Sequence, residues 1–123
     1  MSEYRDDLVD WLYHHYRNDL GLEPGKMMGH PGLRFTSNGK YFVFVYDDGF
    51  ALKLPEEIYR KTLERDDVEP FMPGGMGSPM STWIVWSLPE AEDYEKEWPV
   101  IGEAAYRLIA AEPPNPKKKR SKR

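Results

Sequence analysis

Four groups in this 123-residue chain are of a type that does chemistry: a loop histidine, a histidine pair, an aspartate pair and a mid-strand lysine. His30 stands in Lys26-Met27-Met28-Gly29-His30-Pro31-Gly32-Leu33, a stretch of chain-bending residues of the kind that presents a general base. Nothing at a useful spacing supplies it with a nucleophile. His14 and His15 are neighbours on a helical pattern and project about 100° apart. A two-histidine metal face needs the i, i+4 spacing of H-E-x-x-H, so no metal site is expected. Asp47-Asp48 has the composition of an acid–base pair but sits at the head of a hairpin, where aspartates serve the turn. Lys53 lies within a strand pattern with its head toward solvent or the first helix. A catalytic lysine needs burial to lower its pKa. No catalytic residue and no cofactor is expected.

Binding chemistry has more candidates. The loop Pro73-Gly74-Gly75-Met76-Gly77-Ser78-Pro79 matches no phosphate-cradling glycine pattern and reads as a flap beside the last strand. Met27, Met28, Met72, Met76 and Met80 flank the strands, where methionine either fills core gaps or lines an adaptable surface. Trp83 and Trp86 fall on opposite faces of one strand, so at least one is exposed or covered by a helix. The resulting candidate pocket for a ligand or partner joins Met28, His30 and Trp83 with Gly74 and Gly75 of the flap.

The elements that would hold these residues follow from periodicity. Tyr4, Leu8, Trp11, Leu12, Tyr16 and Leu20 recur at helical steps and predict a helix over residues 3–20, capped by Ser2 and closed at Gly21. Pro24-Gly25 reads as the connection to a sheet. Residues 33–36, 41–47 and 50–54 read as an antiparallel meander, turned at Asn38-Gly39 as a tight type I′ hairpin and at Asp48-Gly49. Pro55-Glu56-Glu57 starts a short helix to about residue 65, and a short strand follows near residues 69–72. Residues 81–88 form the last strand. A helical pattern from Pro89 breaks at Pro99 and resumes through Ile101, Ala104, Ala105, Leu108 and Ile109. The sum is an α+β, two-layer domain over residues 1–112, with an antiparallel four- to five-stranded sheet and flanking N- and C-terminal helices.

Charge divides the chain. Residues 113–123 read as a Pro-rich linker and a disordered basic tail. Lys117, Lys118, Lys119, Arg120, Lys122 and Arg123 carry six of the 17 basic residues, leaving 11 against 21 acids, a body of net charge −10. Nonspecific nucleic-acid contact therefore starts in those six residues, helped by Arg34, Lys40, Lys53 and any exposed sheet aromatic. There is no cysteine, which excludes disulfides and thiolate metal sites and fits a reducing cytosol. No apolar run approaches the ~20 residues of a membrane span, and no secretory signal pattern opens the chain.

"KMMGHPGLRF", "NGKYFVFVYDDGFALKLPEE", "EPFMPGG" and "TWIVW", in that order, resemble the TfoX N-terminal domain-like proteins and the related MmcQ/YjbR-like group over residues 26–86. The resemblance implies a compact secretion-chaperone-like α+β domain. It implies links to regulation and to DNA, and no catalytic constellation. The expected protein is a small, non-enzymatic, cytoplasmic module, monomer or homodimer, an interaction or regulatory domain that binds a protein or nucleic-acid partner. A tail-driven nucleic-acid binder is the alternative, and a small-molecule binder or enzyme using the His30 loop is the second.

Overall fold

A computed structural model describes residues 4–72 and 81–114. In chain order they form α1 (Asp6–His15), β1 (Leu22–Met27), β2 (His30–Phe35), β3 (Tyr41–Tyr46) and β4 (Gly49–Lys53). α2 (Glu56–Thr62), β5 (Val68–Pro70), β6 (Trp83–Trp86), a 3₁₀ turn (Ala91–Tyr94) and α3 (Gly102–Ala110) follow. The six strands make one open antiparallel sheet in the order β1-β2-β3-β4-β6-β5. The fold is α+β, as expected, with one or two strands more than the sequence indicated.

The additional strand is β1, and it changes the meaning of the histidine stretch. Residues 22–27 do not connect a helix to a sheet; they pair with β2 from Leu22↔Phe35 to Met27↔His30. Met28 and Gly29 are the two residues of a tight hairpin turn, with φ of 54° and 85°, the paired left-handed conformation of a type I′ turn. Pro24, which obscured the strand, is tolerated because β1 is an edge.

Other boundaries also differ from the sequence reading. The first helix stops at His15 and not at residue 20, because Asn18, Asp19 and Gly21 favour turns. Asp19 accepts from the Gly21 N–H at 2.9 Å and from the Tyr106 hydroxyl at 2.6 Å. Leu20, assigned to the apolar stripe, is 93% exposed. The helix begins after Arg5, which makes no side-chain cap; Ser2 lies outside the described residues. Asn38-Gly39 is not a two-residue turn: Phe35 and Lys40 close a four-residue loop, and Gly39 takes φ 74°. At the next hairpin the turn residues are Asp47-Asp48, with Asp47 at φ 54° and Gly49 already in β4. Gly49 is needed there because a Cβ would strike the Trp86 carbonyl.

The sheet has two unlike faces. Leu8 and Leu12 of α1 and Ala104, Ala105 and Ile109 of α3 close one face over Phe42, Val43, Val45, Phe50, Leu52, Ile84 and Trp86. Leu33↔Val43 and Arg34↔Tyr41 leave Phe42 unpaired as a bulge. That is why Phe42 and Val43 share one core despite being adjacent. Trp98 fills the centre, 5.0 Å from Trp11, 5.2 Å from Phe50 and 6.0 Å from Trp86 by ring centroid. The other face carries Phe44, Ala51, Phe71, Trp83 and Val85, flanked by Met27 and Tyr46, and among the described residues no helix joins it.

Candidate functional site

His30 opens β2 on the helix-free face. Its ring lies 4.9 Å from Tyr46, 6.3 Å from Phe44 and 6.2 Å from Tyr4, and its buried Nδ1 has no hydrogen-bond partner among the described residues. A general base needs a partner that orients it and a substrate proton within reach. Among the described residues the His30 ring packs against these three aromatic side chains.

The candidate pocket is assembled only in part. Trp83 lies on the same face as His30, and both approach Phe44, Trp83 at 5.5 Å. They sit toward opposite ends of the strands, because His30 flanks Tyr46 while Trp83 pairs with Lys53. The cavity Trp83 lines takes in neither His30 nor Met28. Met28, at the hairpin tip, is 55% exposed. Gly74, Gly75, Met76 and Met80 lie outside the described residues, as do the six basic tail residues.

Trp83 and Trp86 do occupy opposite faces, but neither is an open stacking platform: they are 7% and 0% exposed. Trp86 is covered by Tyr94 and Trp98. The basic side chains nominated on the body are each met by an acid. Arg34 Nε lies 2.7 Å from Glu23, Lys40 Nζ 3.1 Å from Glu112 and Lys53 Nζ 3.9 Å from Glu112. Lys53 thus turns toward the end of α3, not toward α1.

The adjacent histidines separate as their spacing requires. His15 stacks on Trp11 at 4.8 Å, and burial pushes its pKa down. His14 faces Arg17 at 3.0 Å. No group of three or more metal-ligating side chains occurs among the described residues. Asp47 and Asp48 form the hairpin turn and, with Glu69, rim a cavity of about 250 Å³ walled by Tyr46, Phe71 and Met72.

Two concavities were not legible in the sequence. One, of about 390 Å³, runs between α2 and the segment leading into α3, walled by Ile58, Thr62 and Ile101, with Val100 66% exposed at its lip. Lys61, Arg65 and Glu97 complete its rim. Arg65 is held by Asp67 at 2.8 Å and by Glu97, and this pairing keeps the Asp67 carboxyl below its ordinary value. The other, of about 350 Å³, lies where β3, β4 and β6 meet the end of α3.

Comparison with protein-family models, with curated proteins and with solved structures finds no match to this chain. No helix among the described residues is long and apolar enough to cross a membrane.

Proposed function

We propose that the chain is a non-catalytic, cytoplasmic interaction module of the TfoX N-terminal/YjbR-like type that docks a protein partner in the groove between α2 and the segment leading into α3. The observation that carries this reading is the groove itself, an apolar concavity whose lip, Val100, is left 66% exposed. Strand addition is the less favourable mode of docking, because edge strands β1 and β5 carry Pro24 and Pro70, each of which lacks an N–H. The partner's anchor is an apolar side chain beside a carboxylate: Ile58 and Ile101 receive the first, and Lys61 attracts the second. The α+β architecture supports the family reading at the level of fold class.

A photo-crosslinking residue at position 100, with exposed position 57 as control, tests it in the cells that make the protein. One protein, identified by mass spectrometry, should crosslink at position 100 and be lost in an Ile58→Asp variant of unchanged melting temperature. Equal labelling at both positions would remove the groove from consideration.

The second reading, nucleic-acid attraction, rests on the six cations of the tail, since Arg34, Lys40 and Lys53 are each paired with a carboxylate on the body. Duplex DNA binding by the full chain should weaken roughly a thousandfold between about 50 and 200 mM salt if six phosphates are contacted. A chain with the six tail cations replaced by glutamine should not bind. Binding that survives this replacement would locate a basic face on the body.

A further inference from the structure

The cavity of about 350 Å³ beside α3 has apolar walls from Met27, Tyr41, Trp83 and Ile109, and its mouth holds Lys40, Lys53 and Glu112. Glu112 joins the two lysines, one carboxylate oxygen to each: Oε1 is 3.1 Å from Lys40 Nζ and Oε2 is 3.9 Å from Lys53 Nζ. Two ammonium groups share one carboxylate, so the cluster is left net positive within an acidic body. The three side chains are 27–32% exposed, so solutes reach them. The backbone of Glu112 is held separately, its carbonyl accepting from Asn38 Nδ2 at 2.9 Å. The carboxylate therefore can swing out without releasing the end of α3.

We propose that this cavity binds a small anion with a phosphate or carboxylate head on a flat apolar body, and that Glu112 is its built-in competitor. The head takes the place of the Glu112 carboxylate between Lys40 and Lys53. A phosphate suits the seat better than a carboxylate, because a dianion matches two ammonium groups. The body of the ligand lies along Tyr41 and Met27 and meets only an edge of Trp83, which is 7% exposed. The volume is in the range of small-molecule pockets. The site is separate from the groove beside α2 and does not depend on it.

The test is a titration of the ¹⁵N-labelled full chain with phenyl phosphate, with inorganic phosphate as the head alone. Phenyl phosphate should shift the Trp83 indole N–H and the amides of Lys40, Tyr41 and Lys53. Its Kd should fall at least tenfold in Glu112→Gln and rise at least tenfold in Lys53→Gln, and inorganic phosphate should bind more weakly than phenyl phosphate. Should Glu112→Gln lose its dispersed spectrum, wild type against Lys53→Gln carries the test, since Lys53 is the more distant partner of Glu112. An unchanged Kd in either folded variant overturns the proposal. So do shifts confined to residues 117–123, which would place the anion on the tail.

Discussion

A primary amide has a donor end and an acceptor end, and Asn38 uses both. Its Nδ2 donates to the carbonyls of Ile109 and Glu112, each at 2.9 Å, and its Oδ1 accepts from the Lys40 N–H at 2.9 Å. Two carbonyls on one side and an N–H on the other leave a single orientation of the amide that satisfies all three. The last carbonyls of a helix have no partner within it, so a loop residue here terminates α3. Asn38 is 8% exposed, and water does not readily replace it. Asn38→Ala should cost about 1–3 kcal/mol, by taking a partner from the Glu112 carbonyl and the Lys40 N–H, while the Ile109 carbonyl keeps the Glu112 N–H at 3.0 Å. It should appear as a lower urea midpoint with an unchanged m-value. Asn38→Asp should cost at least as much, since it sets a carboxylate oxygen against two carbonyls. A change within about 0.5 kcal/mol for Asn38→Ala would show that water takes over the bonds.

Elements whose pattern is local were legible, and those that depend on distant contacts were not. β4 sets the large Phe50 and Leu52 on one face and Ala51 and Lys53 on the other, and α3 carries an apolar face, so both were visible in the sequence. β1 was hidden because its residues, LEPGKM, lack alternation; it is a strand only because β2 lies beside it. The Asn38-Gly39 loop was misread because the bonds that shape it run to α3, some 70 residues away. The β1–β2 turn gives an element-scale prediction. Met28 holds a left-handed φ of 54° although it is not glycine, a conformation that costs most side chains about 1 kcal/mol. Asparagine tolerates it, and Asn-Gly is the preferred pair for this turn. Met28→Asn loses little buried area, since Met28 is 55% exposed. It should stabilise the chain by about 0.5–1 kcal/mol, whereas the β-branched Met28→Ile should destabilise it. Equal urea midpoints for the two variants would mean that this hairpin contributes nothing to the cooperative unit.

At the scale of the whole molecule, the sequence revealed the division of charge between body and tail but not where the body's cations go. The β3–β4 hairpin sets Lys40 beside Lys53, but Glu112 is distant along the chain, and only the packing of α3 across β3 and β4 brings it to them. The ionisable groups also bound the fold in pH. The Arg5 guanidinium holds the Asp7 carboxyl below its ordinary 3.8, and Arg65 does the same for Asp67. A carboxyl depressed in the folded state stabilises above its unfolded value and loses that contribution as pH falls through its folded value, so the carboxyl part of the acid limb lies below about pH 4. Tyrosines set the alkaline limb. Burial pushes Tyr94 up to about 12, and donation to the Asp19 carboxylate pushes Tyr106 up to about 12. Burial raises Tyr16 as well. A group raised in the folded state stabilises fully below its unfolded value, here 10.0, and the contribution fades as pH climbs toward 12. Burial lowers His15 from its ordinary 6.5, so stability also declines as pH falls below about 6.5. The urea midpoint should therefore be flat between about pH 7 and 9, then fall steeply between 10 and 12. Tyr94 shares that fall with Tyr16 and Tyr106; its hydroxyl is buried between the Leu88 N–H at 2.7 Å and the Trp86 carbonyl at 3.0 Å. Ionised, it keeps the first bond and is repelled by the second group. Tyr94→Phe should lower stability at pH 7 yet show a shallower decline above pH 10 than wild type. Parallel declines in the two proteins would assign the alkaline limb to other groups.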